Sequence, residues 1–331
     1  MLLNKKSLAI GLALVLGLNV TGCSKNDAES KTGESVTTAS AKSNYVAKEQ
    51  AILDKNTPPI HAQANPDAIK LIPHDFQLAE KGYLTVAVIS LVAPPLRVLA
   101  SDNKTNIGAD IDLARLIADS LDLKLKIVPS AWENWPLGIS SGKFDVAITN
   151  ITVTKERKEK FDFATYKKDL LGFYTAKKND LKEIKDADDI AGLKIIVGAA
   201  TNQEKVLLDW IADNKRKGLQ PAQPVYMDDQ AAAALALQSG RADATFGPII
   251  GGAWQVANGA DIKLIGQVDG GWPKTAEIGV VVKKGNGLVN AIQAAINGVI
   301  QSGEYKQAYT RWGIQNEALE ESLINPPGLG D

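Results

Sequence analysis

Residues Gly142 to Arg157, GKFDVAITNITVTKER, decide the fold. Gly142 suits the position just past a helix, where the backbone turns left-handed. Asp145 to Thr149 (DVAIT) is short, β-rich and mostly apolar, the pattern of a buried parallel strand. Asn150 and Thr152 put small hydrogen-bonding groups just beyond the carboxyl end of that strand, and Thr154 stands where it caps the next helix. Arg157 then falls in the first turn of that helix, where a cation opposes the helix dipole. An anion held there by free backbone N–H groups and the guanidinium fork removes the conflict. In an open α/β sheet, ligands bind outside the carboxyl ends of the strands. The stretch therefore predicts a site for a small anionic ligand.

Working outward towards the N-terminus, Leu84 to Ile89 reads as a strand and Leu123 to Val128 as another. Between them Asp110 to Leu121 is an amphipathic helix with Leu113, Leu116, Ile117 and Leu121 on one face. Asp110 and Asp112 sit in its first turn and predict a capping role. Trp132 to Ser141 contains a short helix closed by Gly142. The order β-α-β-α-β predicts a parallel sheet with helices on its faces. Towards the C-terminus, Leu171 to Ala176 and Lys194 to Gly198 read as strands. Asn202 to Asn214 reads as a helix with Val206, Leu207, Trp210 and Ile211 on its apolar face. Gln230 to Ser239 is an Ala/Leu helix stopped by Gly240, and Ile278 to Val282 is a strand. Two helices follow, one carrying Leu288, Ile292, Ala295, Ile296 and Val299, the other running from Glu304 to Trp312. Asn325 to Asp331, with two prolines and two glycines, reads as a loose tail.

The chain repeats itself. Ser141-Gly142-Lys143-Phe144-Asp145 is echoed by Ser239-Gly240-Arg241-Ala242-Asp243, each after an apolar helix and before a strand. The shared context predicts two related α/β lobes. In that register Pro248 is the counterpart of Asn150, both facing a common cleft.

With 45% hydrophobic and 23% charged residues and a net charge of −1, the 331 residues suit a globular protein without an electrostatic footprint for nucleic acid. Cys23 is the single cysteine and His61 and His74 are the only histidines. No internal disulfide is possible, and neither a metal nor another cofactor is expected. Lys5 and Lys6 precede the apolar run Leu8 to Leu18, a secretory signal too short to span a bilayer. The run ends in Val20-Thr21-Gly22-Cys23, which resembles a bacterial lipobox, whose cysteine is lipidated; the alternative is a plain signal peptide with an incidental cysteine. Residues 1–22 are thus read as a lipoprotein signal peptide. Residues 23–57, rich in Ser, Lys, Thr and Ala, are read as a disordered tether, and 58–79 as a transition segment. Removing residues 1–22 takes away two lysines and no acid, so the mature net charge is −3.

Three stretches carry a family resemblance: SGKFDVAITNITVTKERKEKFDF from Ser141, ALQSGRADA from Ala236, and IGVVVKKGNGLVNAIQAAINGVIQSGEYKQAYTRWG from Ile278. Together they resemble the bacterial extracellular solute-binding proteins of family 3, the polar amino acid class serving ABC importers. The likeness runs from about Tyr83 to Ile314. It implies a type II periplasmic-binding-protein-like fold: two parallel-sheet α/β lobes joined by two hinge strands, near Tyr166 to Leu171 and Ala276 to Val280. Lobe 1 would comprise 80–169 and 276–331, lobe 2 170–275. It also implies a monomer without catalytic residues, working with an ABC permease.

The resemblance also implies roles for particular residues. By its chemistry alone, Arg157 reads as a solvated charge among Lys155, Lys158 and Lys160; the likeness makes it the arginine that grips a ligand carboxylate as a bidentate pair. Thr152 matches a Ser or Thr that donates its hydroxyl or N–H to the same carboxylate. Asn150 stands where Gly or Ser is common, and its amide can reach the ligand; turn formation is its other reading. Trp132 stands where an aromatic often stacks on the ligand, with Trp135 competing and a core role open to both. Thr201 matches the second-lobe residue that completes the carboxylate site, against a helix-cap reading; before it the family usually has Gly where this chain has Ala200. Pro248 departs from the aspartate that usually pairs with the ligand's α-ammonium. Either Asp228, Asp229 or Glu277 substitutes, or the ligand lacks an ordinary α-amino group. Leu96 is a second departure, since an aromatic is common there. The reading implied is a solute-binding protein, lipid-anchored at Cys23 in the cell envelope and facing the periplasm or exterior. It would capture a small carboxylate-bearing solute, an amino acid or derivative, for an ABC importer. A cyclohexadienyl dehydratase-like enzyme and a sensory binding protein are the alternatives; the first lacks an evident general acid.

Overall fold

Two five-stranded sheets of one plan carry the fold. In the computed structural model, which describes residues 58–331, the strands are β1 (Tyr83–Ile89), β2 (Lys124–Ser130), β3 (Val146–Ala147), β4 (Phe161–Lys168), β5 (Leu170–Ala176), β6 (Lys194–Val197), β7 (Gln223–Tyr226), β8 (Ala244–Pro248), β9 (Ile262–Asp269) and β10 (Glu277–Lys283). The expected signal peptide, Cys23 and the tether lie outside the described residues. The first sheet is ordered β2-β1-β3-β10-β4 and the second β7-β6-β8-β5-β9. The two orders superimpose strand for strand, so the repeat in the sequence is a repeat of topology. Four strands of each sheet run the same way, but β10 runs antiparallel to β3 and β4, and β5 antiparallel to β8 and β9. The sheets are thus mixed rather than parallel as expected. The one strand that enters each sheet from the other lobe arrives without a crossover helix, and a strand joined that way is free to run antiparallel.

Period-two alternation fills both faces of the sheets. Val86 and Val88 face helices α2 (Ala109–Ser120) and α8 (Leu288–Ser302), while Ala87 between them faces Trp135 and Ile139 of α3 (Trp135–Ser140). In the second sheet Ile195 and Val197 face Val206, Leu207 and Trp210 of α5 (Asn202–Arg216). Ile196 faces the side of α6 (Gln230–Gln238) and α7 (Ile249–Ala257). The repeated Ser-Gly-basic-x-Asp motif has a mechanical meaning. Gly142 and Gly240 take φ of 74° and 71°, ending their helices in the left-handed region. Three residues on, the Asp145 and Asp243 carboxylates accept the N–H groups of Thr85 and Lys194 at the starts of β1 and β6, at 2.7 Å each.

The chain passes between sheets twice, once at Asp169 and once through residues 270–276. The crossings touch: Asp169 N–H donates to Ala276 O at 3.0 Å, and Gly270 N–H to Asp169 O at 2.9 Å. In the transition segment, Asn65 caps the short helix α1 (Pro66–Lys70), which packs on α2 and α8. Among the described residues no helix is long and apolar enough to cross a membrane.

Two expectations are corrected. Asp110 and Asp112 do not cap α2: its N-cap, Gly108, has no side-chain bond, and Asp110 accepts from Tyr166 Oη (3.3 Å) while Asp112 accepts from Trp312 Nε1 (2.8 Å). Both point into the core; Asp112 is bonded there, while Asp110 has only Oδ1 bonded and Oδ2 buried without a partner. Nor is Asn325 to Asp331 a loose tail. Leu329 is buried, its N–H donates to Val153 O (3.3 Å) and its carbonyl accepts Lys155 N–H (3.0 Å). The prolines and Gly328 that suggested looseness hold an extended path close to Val153, where a β-carbon on Gly328 would fall 2.1 Å from the Val153 carbonyl.

Candidate functional site

Helix α4 (Lys155–Lys158) has only four residues, capped by the Thr154 hydroxyl accepting from Arg157 N–H at 3.1 Å. So short a helix presents Arg157 sideways, not along its axis. The guanidinium donates from Nη1 to Thr152 O at 2.9 Å and from Nη2 to Ala200 O at 3.4 Å, the second contact reaching the other lobe. Its Cζ lies 5.5 Å from the Trp132 ring centroid and 6.0 Å from that of Trp135. No carboxylate forms a salt bridge with it among the described residues. Burial pulls its pKa down to about 10, against the pull of Asp169 and Glu156. Arg157 is a desolvated cation met by two carbonyls.

Thr152, expected to meet the ligand with its hydroxyl or its N–H, is buried, and that hydroxyl donates to Asp169 at 2.8 Å. Its carbonyl accepts from Arg157. Of the two tryptophans, Trp135 is buried in the core against Phe161 (4.9 Å), and Trp132 is the half-exposed one. Trp132 Nε1 donates to Ala200 O at 3.4 Å across the cleft. Asn150 and Ala200 both hold left-handed backbones, with φ of 54° and 56°. That conformation explains why a glycine suits these positions, and Ala200 needs it to aim its carbonyl at Arg157 and Trp132. Thr201 caps α5, accepting Glu204 N–H at 3.1 Å, and donates to Gly198 O at 2.7 Å.

Between the lobes lies a cavity of about 680 Å³ lined by Trp132, Thr149 and Asn150 from the first lobe and Thr201, Asp228 and Pro248 from the second, among others. Leu96 lines it too, buried. Arg157 and Thr152 are not in its wall; they sit behind Trp132 and the Ala200 carbonyl. Pro248 ends β8, offering no charge or donor.

Two groups escaped the sequence reading. Asp169 is buried at the crossing and accepts from Thr152 Oγ1 and, at 2.8 Å, from Asn202 Nδ2 at the start of α5. Burial raises its pKa, opposed by Lys167, Thr152 and Arg157. Arg97, also buried, donates to Ser90 O (2.7 Å) and Leu91 O (3.2 Å) and so shapes the loop that lines the cavity. A single acid in KKDLL gave a signal, but its partners come from remote segments.

Two mixed α/β lobes, a double crossing and a polar site in the cleft define a two-lobed binding protein of the type II periplasmic kind. The chain belongs to the bacterial extracellular solute-binding proteins, family 3, whose model matches residues 84–315. It is 28% identical to the L-cystine-binding protein TcyJ of Escherichia coli (strain K12), over 71% of this chain and 84% of that protein. Among solved structures, an ancestral arginine-binding protein bound to arginine is 28% identical with a TM-score of 0.59, covering 70% of this chain and 98% of that one. A stretch of 57 residues, 17% of this chain, is 35% identical to 21% of the cyclohexadienyl dehydratase of Pseudomonas aeruginosa; it is too short to carry an enzymatic reading.

Proposed function

We propose that this protein captures a small carboxylate-bearing solute, an amino acid or derivative, in the inter-lobe cleft and delivers it to an ABC importer while held to the membrane by a lipid on Cys23. The observation that carries the reading is Arg157: desolvated, flanked by two tryptophans and held by carbonyls rather than by an acid. The ligand's carboxylate takes the place of the Ala200 carbonyl, the longer of the two contacts. Thr152 and Asp169 hold the guanidinium in position, Trp132 covers the apolar part, and Asn150 and Thr201 meet the ligand from opposite lobes. The bound anion favours the closed form because only there do both lobes reach it. What the relatives bind makes L-cystine and L-arginine the first probes.

Calorimetry on the mature protein tests the reading. Wild type is expected to bind one of these probes, and Arg157→Ala to lose about 100-fold, roughly 3 kcal/mol, the cost of deleting a charge-assisted pair. Unchanged affinity in Arg157→Ala would remove the carboxylate assignment. The anchor is tested separately: Cys23→Ser should move the protein from the membrane fraction to the soluble fraction of cells.

A further inference from the structure

The cavity does not end at the cleft. Pro248, which lines it at the cleft end of β8, is paired with Leu171 of β5. Thr245, paired with Tyr174, lines it further in, and Ile262 at the start of β9, paired with Ala176, lines it further still. From Leu171 to Ala176 a strand runs about 16 Å. The cavity thus follows one face of the second sheet into the body of the lobe. Its roof there is α6, whose Ala233, Ala234 and Leu237 line it.

Small residues make this slot. Helix α6 is pinned at both ends: the Asp229 carboxylate accepts Ala232 N–H at 2.7 Å, and Gln238 Nε2 donates to Asp261 O at 2.9 Å, just before β9. Between the pins the helix is mostly alanine; only Ala236 and Leu237 are buried, and Leu235 points out at 61% exposure. Side chains that short leave space over the sheet. Gly247 of β8 and Gly251 of α7 line the same cavity, and a β-carbon on either would meet nothing within 4 Å. Among the described residues the cavity's only charged lining is Asp228 and Asp229, both ahead of α6. The hydroxyls deeper in are already committed: Tyr174 Oη donates to Ile249 O (2.9 Å) and Thr245 Oγ1 to Tyr174 O (3.5 Å). A charge carried under α6 would lose its water and gain no counter-ion, whereas an apolar chain would lose nothing by leaving water.

We propose that the slot under α6 takes the body of the solute, and that this body is extended, apolar and uncharged: the substrate class is a carboxylate with a long apolar tail, not one with a cationic tip. This rests on the carboxylate reading of the cleft. Ala233 and Gly251 set the specificity, because their small size keeps the slot open.

The test is calorimetry with two series of rising length, L-norvaline, L-norleucine and L-2-aminooctanoic acid in one, pentanoic, hexanoic and octanoic acids in the other, with L-arginine and L-cystine beside them. On whichever series binds, affinity should rise about fourfold per methylene. L-arginine, matched in length to 2-aminooctanoic acid but cationic at its tip, should bind about 10-fold or more weakly than the eight-carbon member. Gly251→Leu and Ala233→Leu put bulk into the slot at good helix-forming positions, so both should melt at or above the wild-type temperature and flatten the slope to less than about 1.5-fold per methylene. A single well-folded variant of the two is enough to read the slope. A slope that persists in the folded variants overturns the slot. So does a wild type that binds L-arginine or L-cystine but gains nothing along either series, or that takes L-arginine more tightly than the eight-carbon member; the carboxylate reading then stands on Arg157→Ala. A wild type that binds none of these carboxylates overturns both.

Discussion

Ala200 holds φ at 56°, a conformation that an L-residue with a β-carbon adopts at a cost of about 1–2 kcal/mol. Asn150, in the first lobe, tolerates it better because asparagine visits the left-handed region readily. The strain at Ala200 points its carbonyl at Arg157 and Trp132, so it belongs to the site's geometry. Ala200→Gly should therefore raise stability by up to ~1 kcal/mol in urea unfolding, despite the greater freedom of glycine in the unfolded chain. A drop in stability would mean that the backbone there is unstrained. Asp110 makes a second prediction. Burial raises its pKa from 3.8 to about 7, against the field of Lys167 and the Tyr166 hydroxyl, with Glu317 adding to the rise. A folded-state pKa above the unfolded one means that the protonated acid stabilises the fold fully below about pH 4. That contribution fades as the pH rises through 7, on the order of 3–4 kcal/mol in all. Asp110→Asn keeps an acceptor for Tyr166, so it should flatten the stability profile between about pH 4 and 7 and raise the melting temperature at pH 8.

At the scale of elements, the four-residue α4 is too short to hold Arg157 by itself, and the segment that ends at Asp331 supplies the support. Leu329 pairs with Val153 and Lys155 on either side of the Thr154 cap, Lys158 Nζ bonds Pro326 O (3.0 Å) and Asp331 (2.7 Å), and Lys274 of the second crossing donates to Asp331 O (2.8 Å). A chain ending at Asn325 should keep its far-UV circular dichroism but bind the ligand about 10-fold more weakly, since a misaligned guanidinium loses its bidentate geometry. Undiminished affinity would show that α4 stands alone. This strap was illegible because prolines and glycines mark irregular backbone without saying what it packs against. The strongly patterned elements were legible: Asp110 to Leu121 appears as Ala109–Ser120, and Asn202 to Asn214 as Asn202–Arg216. Strands β7 and β9 went unread because both are edge strands whose alternate residues face water. At the site, Trp132 and Thr201 line the cavity, but the tie from Asp169 to Thr152 and Asn202 joins segments remote in sequence, a fact of tertiary structure.

For the whole molecule, the question is what couples the site to the crossings. Asp169 is the one residue between β4 and β5, so it makes up the whole of the first crossing. It binds Thr152 of the first lobe, which holds Arg157 by its carbonyl, and Asn202 of the second, whose Nδ2 also donates to Gly270 O (3.1 Å) at the other crossing. Gly270 must lack a side chain, because a β-carbon there would fall 1.8 Å from Asp169 Oδ2. The carboxylate therefore ties both crossings, the start of α5 and Arg157 into one node. Moving the lobes apart would have to break its bond to Thr152 or its bond to Asn202. Asp169→Ala removes both bonds and leaves the Thr152 hydroxyl and one Asn202 N–H unpaired, at about 1–3 kcal/mol. The unliganded variant should shift towards the open form, seen as a larger radius of gyration in small-angle scattering. Its ligand affinity should fall about 10-fold or more, because binding must first repopulate the closed state. If affinity falls while the radius of gyration stays that of wild type, Asp169 acts only on Arg157 and the coupling runs through the backbone of the two crossings instead.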